Sequence, residues 1–342
     1  MAHTIAPGAS IVLAVTGVET FPSVASLTAL SSVYKLAEQR GVSVVDATGD
    51  NGATSNELDP SKLYARPVVD WPASDPLVIA VGGTDVPLNA SGHPVREPQA
   101  WSGSSGGVSS VFGRPGWQAG VEAIAGSHRG LPDISMAASC PPAAEIYATP
   151  RIPAVSGLDA VCGTSVSAPM FAGLVALADQ LAGHRLGLLN PTIYRLGEAH
   201  APGIVDVTTG DNATRVLTDN GSVLVKGYSA KKGYDLVSGW GTVDGRNFVP
   251  ELAGRSVTRR EEGRQGRAED RRVDAQCPHR SKSAHRGIAI GERLRAVHQV
   301  TEGRLVLVQA EHDRVPLDED GPGARPVKPG EVHIGRESCC GL

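Results

Sequence analysis

Two short stretches carry residues whose types and spacing could do chemistry. In "CGTSVSAPMFAGLVALADQ", Ser165 opens a run in which Met170, Phe171, Leu174, Val175, Leu177, Ala178 and Leu181 recur at helical spacing. Pro169 is tolerated only near a helix start, where backbone N–H groups lack partners in any case, so the start falls close to Ser165–Ser167. A serine there sits at the positive end of the helix dipole, beside N–H groups able to stabilise a developing oxyanion. The pattern suits a nucleophile. It equally suits an ordinary N-cap, because serine is a favoured capping residue. In "TGDNGAT", Asp50 lies just past a Val-rich run, between Gly49 and Gly52, which let the backbone bend sharply. Taken alone, that aspartate reads as a turn former before Asn-Gly.

The elements that must position these residues alternate between strand and helix. "SIVLAVT", "VSVVDATGD", "PLVIAVGGTD" and "LPDISMAA" read as buried strands, with "AEIYATP" after the last. "VASLTALSSVYKLAEQRG" places Val24, Leu27, Leu30, Val33 and Leu36 on one face of a helix that stops at Gly41. Strands rich in Val, Ile and Ala without polar alternation predict a parallel sheet covered on both faces. In such sheets sites gather outside the carboxyl ends of the strands, which is where Asp50 falls.

Composition changes near Arg255. Every Phe, Tyr and Trp lies in residues 1–254, and residues 255–342 form an Arg-rich tail without aromatics. A segment such as "RREEGRQGRAEDRRVD" has little to bury, so disorder is the expectation there, with "RLVLVQAEH" a candidate for a single strand. A disturbed reading frame would produce a similar tail. Acidic and basic residues are nearly balanced in it and the whole chain carries a formal charge of -4, which argues against a nucleic-acid partner. No run reaches the ~18 apolar residues of a membrane span, and "IVLAVTGV" lacks the basic lead of a signal peptide. Of the five cysteines, Cys140 and Cys162 fall in the aromatic-containing part. They could pair in an oxidising compartment, although two free buried thiols is the preferred reading.

Taken in order, these motifs resemble the catalytic domain of the sedolisin family, the serine-carboxyl peptidases. "AHTIAPGASIVL", "RGVSVVDATGDNGA", "WPASDPLVIAVGGTDV", "SGGVSSVFGRPGWQ", "LPDISMAAS", the Ser165 segment, "LGLLNPTIYRL", "VDVTTG" and "KKGYDLVSGWGTVDG" carry the likeness across nearly all of residues 2–252. The resemblance implies an α/β fold: a subtilisin-like, doubly wound, mostly parallel sheet, here short of some N-terminal elements. It also implies acidic-pH hydrolysis of peptide or protein substrates through an acyl-enzyme, and an extracellular location. A Ser-His-Asp machine of the related subtilisin type is not expected, because the ten histidines include no His-Gly pair. His3, His93, His128, His184 and His200 have the surroundings of exposed or loop residues.

Carried over residue by residue, the resemblance makes Ser165 the nucleophile and Asp50 the oxyanion-hole acid. Asp50 must then be protonated, because an ionised carboxylate would repel the tetrahedral intermediate, and an acidic working pH follows. It further implies a Ca²⁺ site built from the Asp206 and Asp235 carboxylates and the carbonyls of Val207, Lys231 and Gly233. Lys231 stands where the family often has glycine, and only its carbonyl is needed. The family's base is a glutamate with an aspartate four residues later on one helix, just upstream of the Ala-Pro-Gly-Ala stretch. In this chain the first acidic residue is Glu19, beyond that stretch, and no aspartate lies four positions on. The route from "IAPGA" to "GDNGA" is also roughly 40 residues shorter than the resemblance implies. The expectation is therefore an impaired peptidase. The alternatives are a non-catalytic peptide-binding pseudoprotease, using "SSGGVSS" as an edge for extended peptides, or a truncated gene product.

Overall fold

The computed structural model describes residues 1–8, 11–13, 24–57, 59–89, 91, 93–140, 144–148, 157–255, 293–298 and 305–311. A short helix α1 (Ala2–Ile5) and strand β1 (Ile11–Leu13) open the chain. Helix α2 (Val24–Gln39) turns through Gly41, at φ 68°, into β2 (Ser43–Ala47). Then come β3 (Ile79–Asp85), β4 (Gln99–Ala100) and the antiparallel pair β5 (Gly107–Gly113) and β6 (His128–Leu131), with α3 (Glu122–Ala125) between those two. β7 (Ile134–Ala137) precedes a hairpin of β8 (Ala144–Ala148) and β9 (Gly157–Val161), which leads into the long helix α4 (Thr164–Ala182). Helix α5 (Asn190–Glu198), β10 (Ile204–Val205), the hairpin β11 (Thr214–Thr218) and β12 (Gly221–Val225), β13 (Thr242–Val243) and α6 (Gly245–Leu252) follow. The tail contributes β14 (Arg293–His298) and β15 (Leu305–Glu311).

At the centre of the main sheet β2, β3 and β7 run parallel, with Val45 opposite Ile79 and Val81 opposite Ile134. Side chains alternate across this centre. Val45, Ile79 and Val81 join Phe171, Ala172 and Val175 of α4 in the largest apolar cluster, while Val44 and Val78 turn to the opposite face and meet Tyr34 of α2. Both faces are thus covered, which is why these strands read as continuous apolar runs. Helix α4 has the length and hydropathy of a membrane-spanning segment, against the expectation that no such run exists. Its burial inside this core accounts for that composition.

Three expectations are corrected. Leu30, Val33 and Leu36 do not face the sheet but are 41%, 56% and 46% exposed. Helix α2 instead buries Tyr34, whose ring lies 6.1 Å from that of Trp71 and packs with Val44 and Val78. Cys140 and Cys162 are not free thiols but a disulfide, with Cα atoms 5.6 Å apart. The tail holds two strands of the main sheet, where disorder with at most one strand is the sequence-based expectation. β15 pairs antiparallel with β2, and β14 bridges β15 to β1. This covers a β2 edge that would otherwise present unpaired N–H and C=O groups next to a buried strand.

A buried ion pair lies at the junction of β6 and β7. Arg129 Nη2 donates to Asp133 Oδ2 at 2.7 Å with both side chains wholly inaccessible. Asp133 Oδ2 also accepts from Ala80 N at 2.8 Å and Asn190 Nδ2 at 3.0 Å, and the Arg129 guanidinium stacks over Trp117.

Candidate active site

The first turn of α4 and the turn after β2 meet at the carboxyl end of the sheet. Gly163, at φ 92°, is the N-cap of α4, so Ser165 is the second residue of the helix and not its cap. Thr164 joins the two turns. Its backbone N–H and its hydroxyl both donate to Asp50 Oδ1, each at 2.7 Å, and its Oγ1 accepts from Gly49 N at 3.1 Å. A side chain at position 163 would lie 2.4 Å from Asp50 Oδ2, so only glycine lets the carboxyl lie against the helix start.

Ser165 itself is half-buried, and among the described residues its hydroxyl has no hydrogen-bond partner. It shares this with other buried side-chain atoms of the described residues, among them Trp71 Nε1 and Trp240 Nε1, and is distinguished by its place at the start of α4 beside Asp50. Pro169 withholds the amide that would otherwise bond the Ser165 carbonyl one turn on. Four of the histidines, His93, His128, His184 and His200, are exposed, as expected from their surroundings. Glu19 lies outside the described residues.

The turn carrying Asp50 is laced on both sides. Ser105 N donates to Gly49 O at 3.0 Å, Gly52 N to Gly103 O at 2.9 Å and Ala53 N to Asn212 O at 2.9 Å. A cavity of about 320 Å³ opens beside it, lined by Asp50, Asn51, Leu63, Ser102, Thr214 and Arg215 among others. Below the turn sits a second carboxyl that sequence reasoning missed. Burial pushes Asp70 up to about 6, the nearby Asp50 charge adds to the rise, and a hydrogen bond from Ser55 opposes it. No local signal in "VVDWP" marks it, because its position under Gly49 is purely tertiary. Thr164 was also missed, although the Gly-Thr-Ser order offered the clue.

The second set of predicted residues is gathered as well. Asp206 Oδ2 accepts from Gly233 N at 2.9 Å, and Asp235 Oδ2 accepts from Lys231 N at 2.9 Å, so the loop 231–235 is held by a carboxylate from each side. Asp235 Oδ1 accepts from Val237 N and Ser238 N at 3.0 and 2.8 Å. Burial raises its pKa, against these hydrogen bonds. Val207 is fully buried next to Asp206. Two carboxylates and main-chain carbonyls within one loop pair form an all-oxygen donor set, which fits a hard cation in type. Among the described residues no cluster of three or more His, Cys, Asp or Glu side chains that could hold a metal ion forms, here or elsewhere.

Comparison with known proteins agrees with this geometry. Residues 11–196 match the Subtilase family. The chain is 33% identical over 241 residues to Kumamolisin of Bacillus sp. (strain MN-32), covering 67% of this chain and 39% of that protein. Over 232 residues it is 29% identical to Sedolisin of Pseudomonas sp. (strain 101), covering 64% of this chain and 36% of that one. Tripeptidyl-peptidase 1 of Bos taurus is 32% identical over 229 residues, 60% of this chain and 36% of its own length. The chain therefore spans less than half the length of these curated relatives. Among solved structures, that of Pseudomonas sedolisin, a serine-carboxyl proteinase complexed with pseudo-iodotyrostatin, superposes with a TM-score of 0.55 at 26% identity, over 67% of this chain and 61% of that chain. The parallel core, the serine at the start of α4 and these matches lead to one assignment: the chain belongs to the subtilase family, on the branch of the sedolisins.

Proposed function

We propose that this chain is a serine endopeptidase domain of the sedolisin type, in which Ser165 attacks the peptide carbonyl and Asp50, protonated on Oδ2, donates a hydrogen bond to the oxyanion. The observation that supports this most directly is Thr164, which ties Asp50 to the helix turn bearing the unpartnered Ser165 hydroxyl. Turnover of the chain is low, because among the described residues no carboxylate or imidazole reaches that hydroxyl, and a missing general base forfeits a factor of about 10²–10⁴. The test is incubation with an unstructured protein substrate at acidic pH, beside labelling by a fluorophosphonate. Slow labelling at Ser165 that disappears in Ser165→Ala is the expected result. Rapid turnover abolished by Ser165→Ala would show that the base is present and overturn the low-turnover reading. A chain never labelled at Ser165 would overturn the peptidase reading.

The open hydroxyl also favours a second reading, a pseudoprotease that retains extended peptides along the "SSGGVSS" edge without cutting them. Binding of an unstructured peptide that survives incubation uncut, and is lost when residues 107–110 are altered, would select it. For the 206/231–235 loop pair the proposal is one Ca²⁺, held by the carboxylates of Asp206 and Asp235 and by carbonyls of Val207, Lys231 and Gly233. The ion would supply positive charge that cross-links the two loops. A thermal midpoint raised by calcium, and unresponsive in Asp206→Ala, is the expected result. No response in the unaltered chain refutes it. The disulfide suits an oxidising compartment and with it an extracellular location.

A further inference from the structure

Between β7 and α4 the chain leaves the sheet as the β8–β9 hairpin and returns at one point, where Cys140 is bonded to Cys162. Ser165 follows three residues later. The β7 side of this junction is anchored on β3, because Ala138 N donates to Thr84 O at 2.9 Å and Ser139 Oγ donates to Asp85 Oδ1 at 2.7 Å. The α4 side rests on the same strand end. Gly163 N donates to Ala138 O at 2.7 Å, and Ser167 Oγ to the carbonyls of Met136 and Ala137 at 3.1 Å each. Between these tethers Gly163 has no side chain to hold it, and glycine has the most backbone conformations to explore. Among the described residues the disulfide is the one covalent cross-link next to that glycine. Cys140 is exposed and Cys162 half-buried, so a thiolate in solution can reach the bond.

We infer that the Cys140–Cys162 disulfide is a redox-sensitive positioning device for the nucleophile. Oxidised, it fixes Cys162–Gly163 against the end of β7, which holds Thr164 on Asp50 and sets where Ser165 points. Reduced, it frees the Gly163 turn, and the Thr164–Asp50 contact loosens while the body of α4 stays packed. In the opening step a thiolate of a dithiol attacks one cysteine sulfur and forms a mixed disulfide. The second thiol then closes the reductant's own disulfide, releasing both cysteine thiols, so two electrons and two protons pass to the protein. The consequence for chemistry rests on the reading of Ser165 as nucleophile; the positioning effect does not.

The test is amide hydrogen exchange on the full chain, oxidised and after treatment with dithiothreitol. Protection at Gly163 and Thr164 is expected to fall by at least about tenfold on reduction, while that of residues 172–178 in α4 is unchanged, and reoxidation restores it. Equal protection in both redox states overturns the inference. So does loss of protection along all of α4, since the bond would then support the fold at large. Fluorophosphonate labelling, in which Ser165 Oγ bonds to phosphorus and fluoride leaves, should slow by at least about tenfold in the reduced chain. Equal labelling rates overturn the positioning role. If the oxidised chain is not labelled at all while exchange shifts as stated, the peptidase reading fails and the positioning inference stands. The Cys140→Ala/Cys162→Ala variant should behave as the reduced chain and ignore dithiothreitol. Should it not fold, the prefolded unaltered chain decides.

Discussion

Two polar centres of the fold, one at Asp133 and one at Ser165, engage their atoms differently. At Asp133, a single carboxylate oxygen collects Ala80 N, Arg129 Nη2 and Asn190 Nδ2. At Ser165, the hydroxyl collects nothing among the described residues. A buried charge is tolerated only when paired and hydrogen-bonded, so the first centre is built to hold the fold. A polar atom left open at the end of a parallel sheet, beside a second polar group on a neighbouring turn, is built to meet something else. Open atoms are not confined to Ser165, since Asp133 Oδ1, Arg129 Nε and Asn190 Oδ1 also lack partners among the described residues; what sets the serine apart is its place beside Asp50 at the end of the parallel sheet.

The sharpest way to break this comparison is to remove one half of the buried ion pair. Asp133→Ala leaves the Arg129 guanidinium buried without its counter-charge and should destabilise the protein by about 3–5 kcal/mol in urea unfolding. A loss under 1 kcal/mol, on the order of an exposed pair, would mean that Arg129 finds solvent or another partner.

The next test uses the carboxyl under the active turn. A carboxyl held at about 6 in the fold and near 3.8 when unfolded binds its proton more tightly in the native state, so its contribution is present at acidic pH. It is lost as pH rises from about 4 through 6. Asp179, also pushed up to about 6 by burial, acts in the same direction. The chain should therefore be more stable near pH 4 than near pH 7, and Asp70→Asn should remove up to about 3 kcal/mol of that difference. An unchanged slope in the variant would place the titration elsewhere.

Gly163→Ala probes the junction itself. A side chain at φ 92° costs about 1–3 kcal/mol of backbone strain, and its Cβ would push against Asp50 Oδ2. Lower stability together with slower fluorophosphonate labelling of Ser165 is expected. Unaltered labelling would mean that Asp50 does not depend on that close approach. The smallest effect belongs to the open hydroxyl. Ser165→Ala removes a buried group without a partner, so stability should hold or rise by about 1 kcal/mol while labelling disappears. A clear loss of stability would reveal a hidden partner for the hydroxyl.

Much of this was legible in the residues. The strands around Val44, Ile79 and Ile134 announce burial on both faces because no polar residue alternates along them. Pro169 and the apolar spacing after it put the α4 start within a residue or two of Thr164. Gly-Thr-Ser offered Ser165 as a nucleophile or an N-cap and Gly-Asp-Asn-Gly read as a turn, so only the resemblance to the sedolisins across the whole set of motifs nominates Ser165 and Asp50. Helix α2 was misread in orientation, since a stripe of three aliphatics and one tyrosine at adjoining angles are both apolar on a helical wheel. Which of them meets Val44 and Val78 is settled by how the helix lies on the sheet, and there it is the tyrosine.

By itself, then, the sequence determined the parallel core and the start of α4, because periodicity and turn chemistry act over a few residues, while the roles of Ser165, Asp50, Asp206 and Asp235 entered through the resemblance carried by the order of its motifs. The tertiary structure alone decided that Cys140 bonds Cys162, that Thr164 spans to Asp50, that Asp70 is buried under Gly49, and that tail strands cover the edge of β2. Each of these is a meeting of segments distant along the chain, and such meetings depend on the geometry of the closed fold, which no local pattern of residue types encodes.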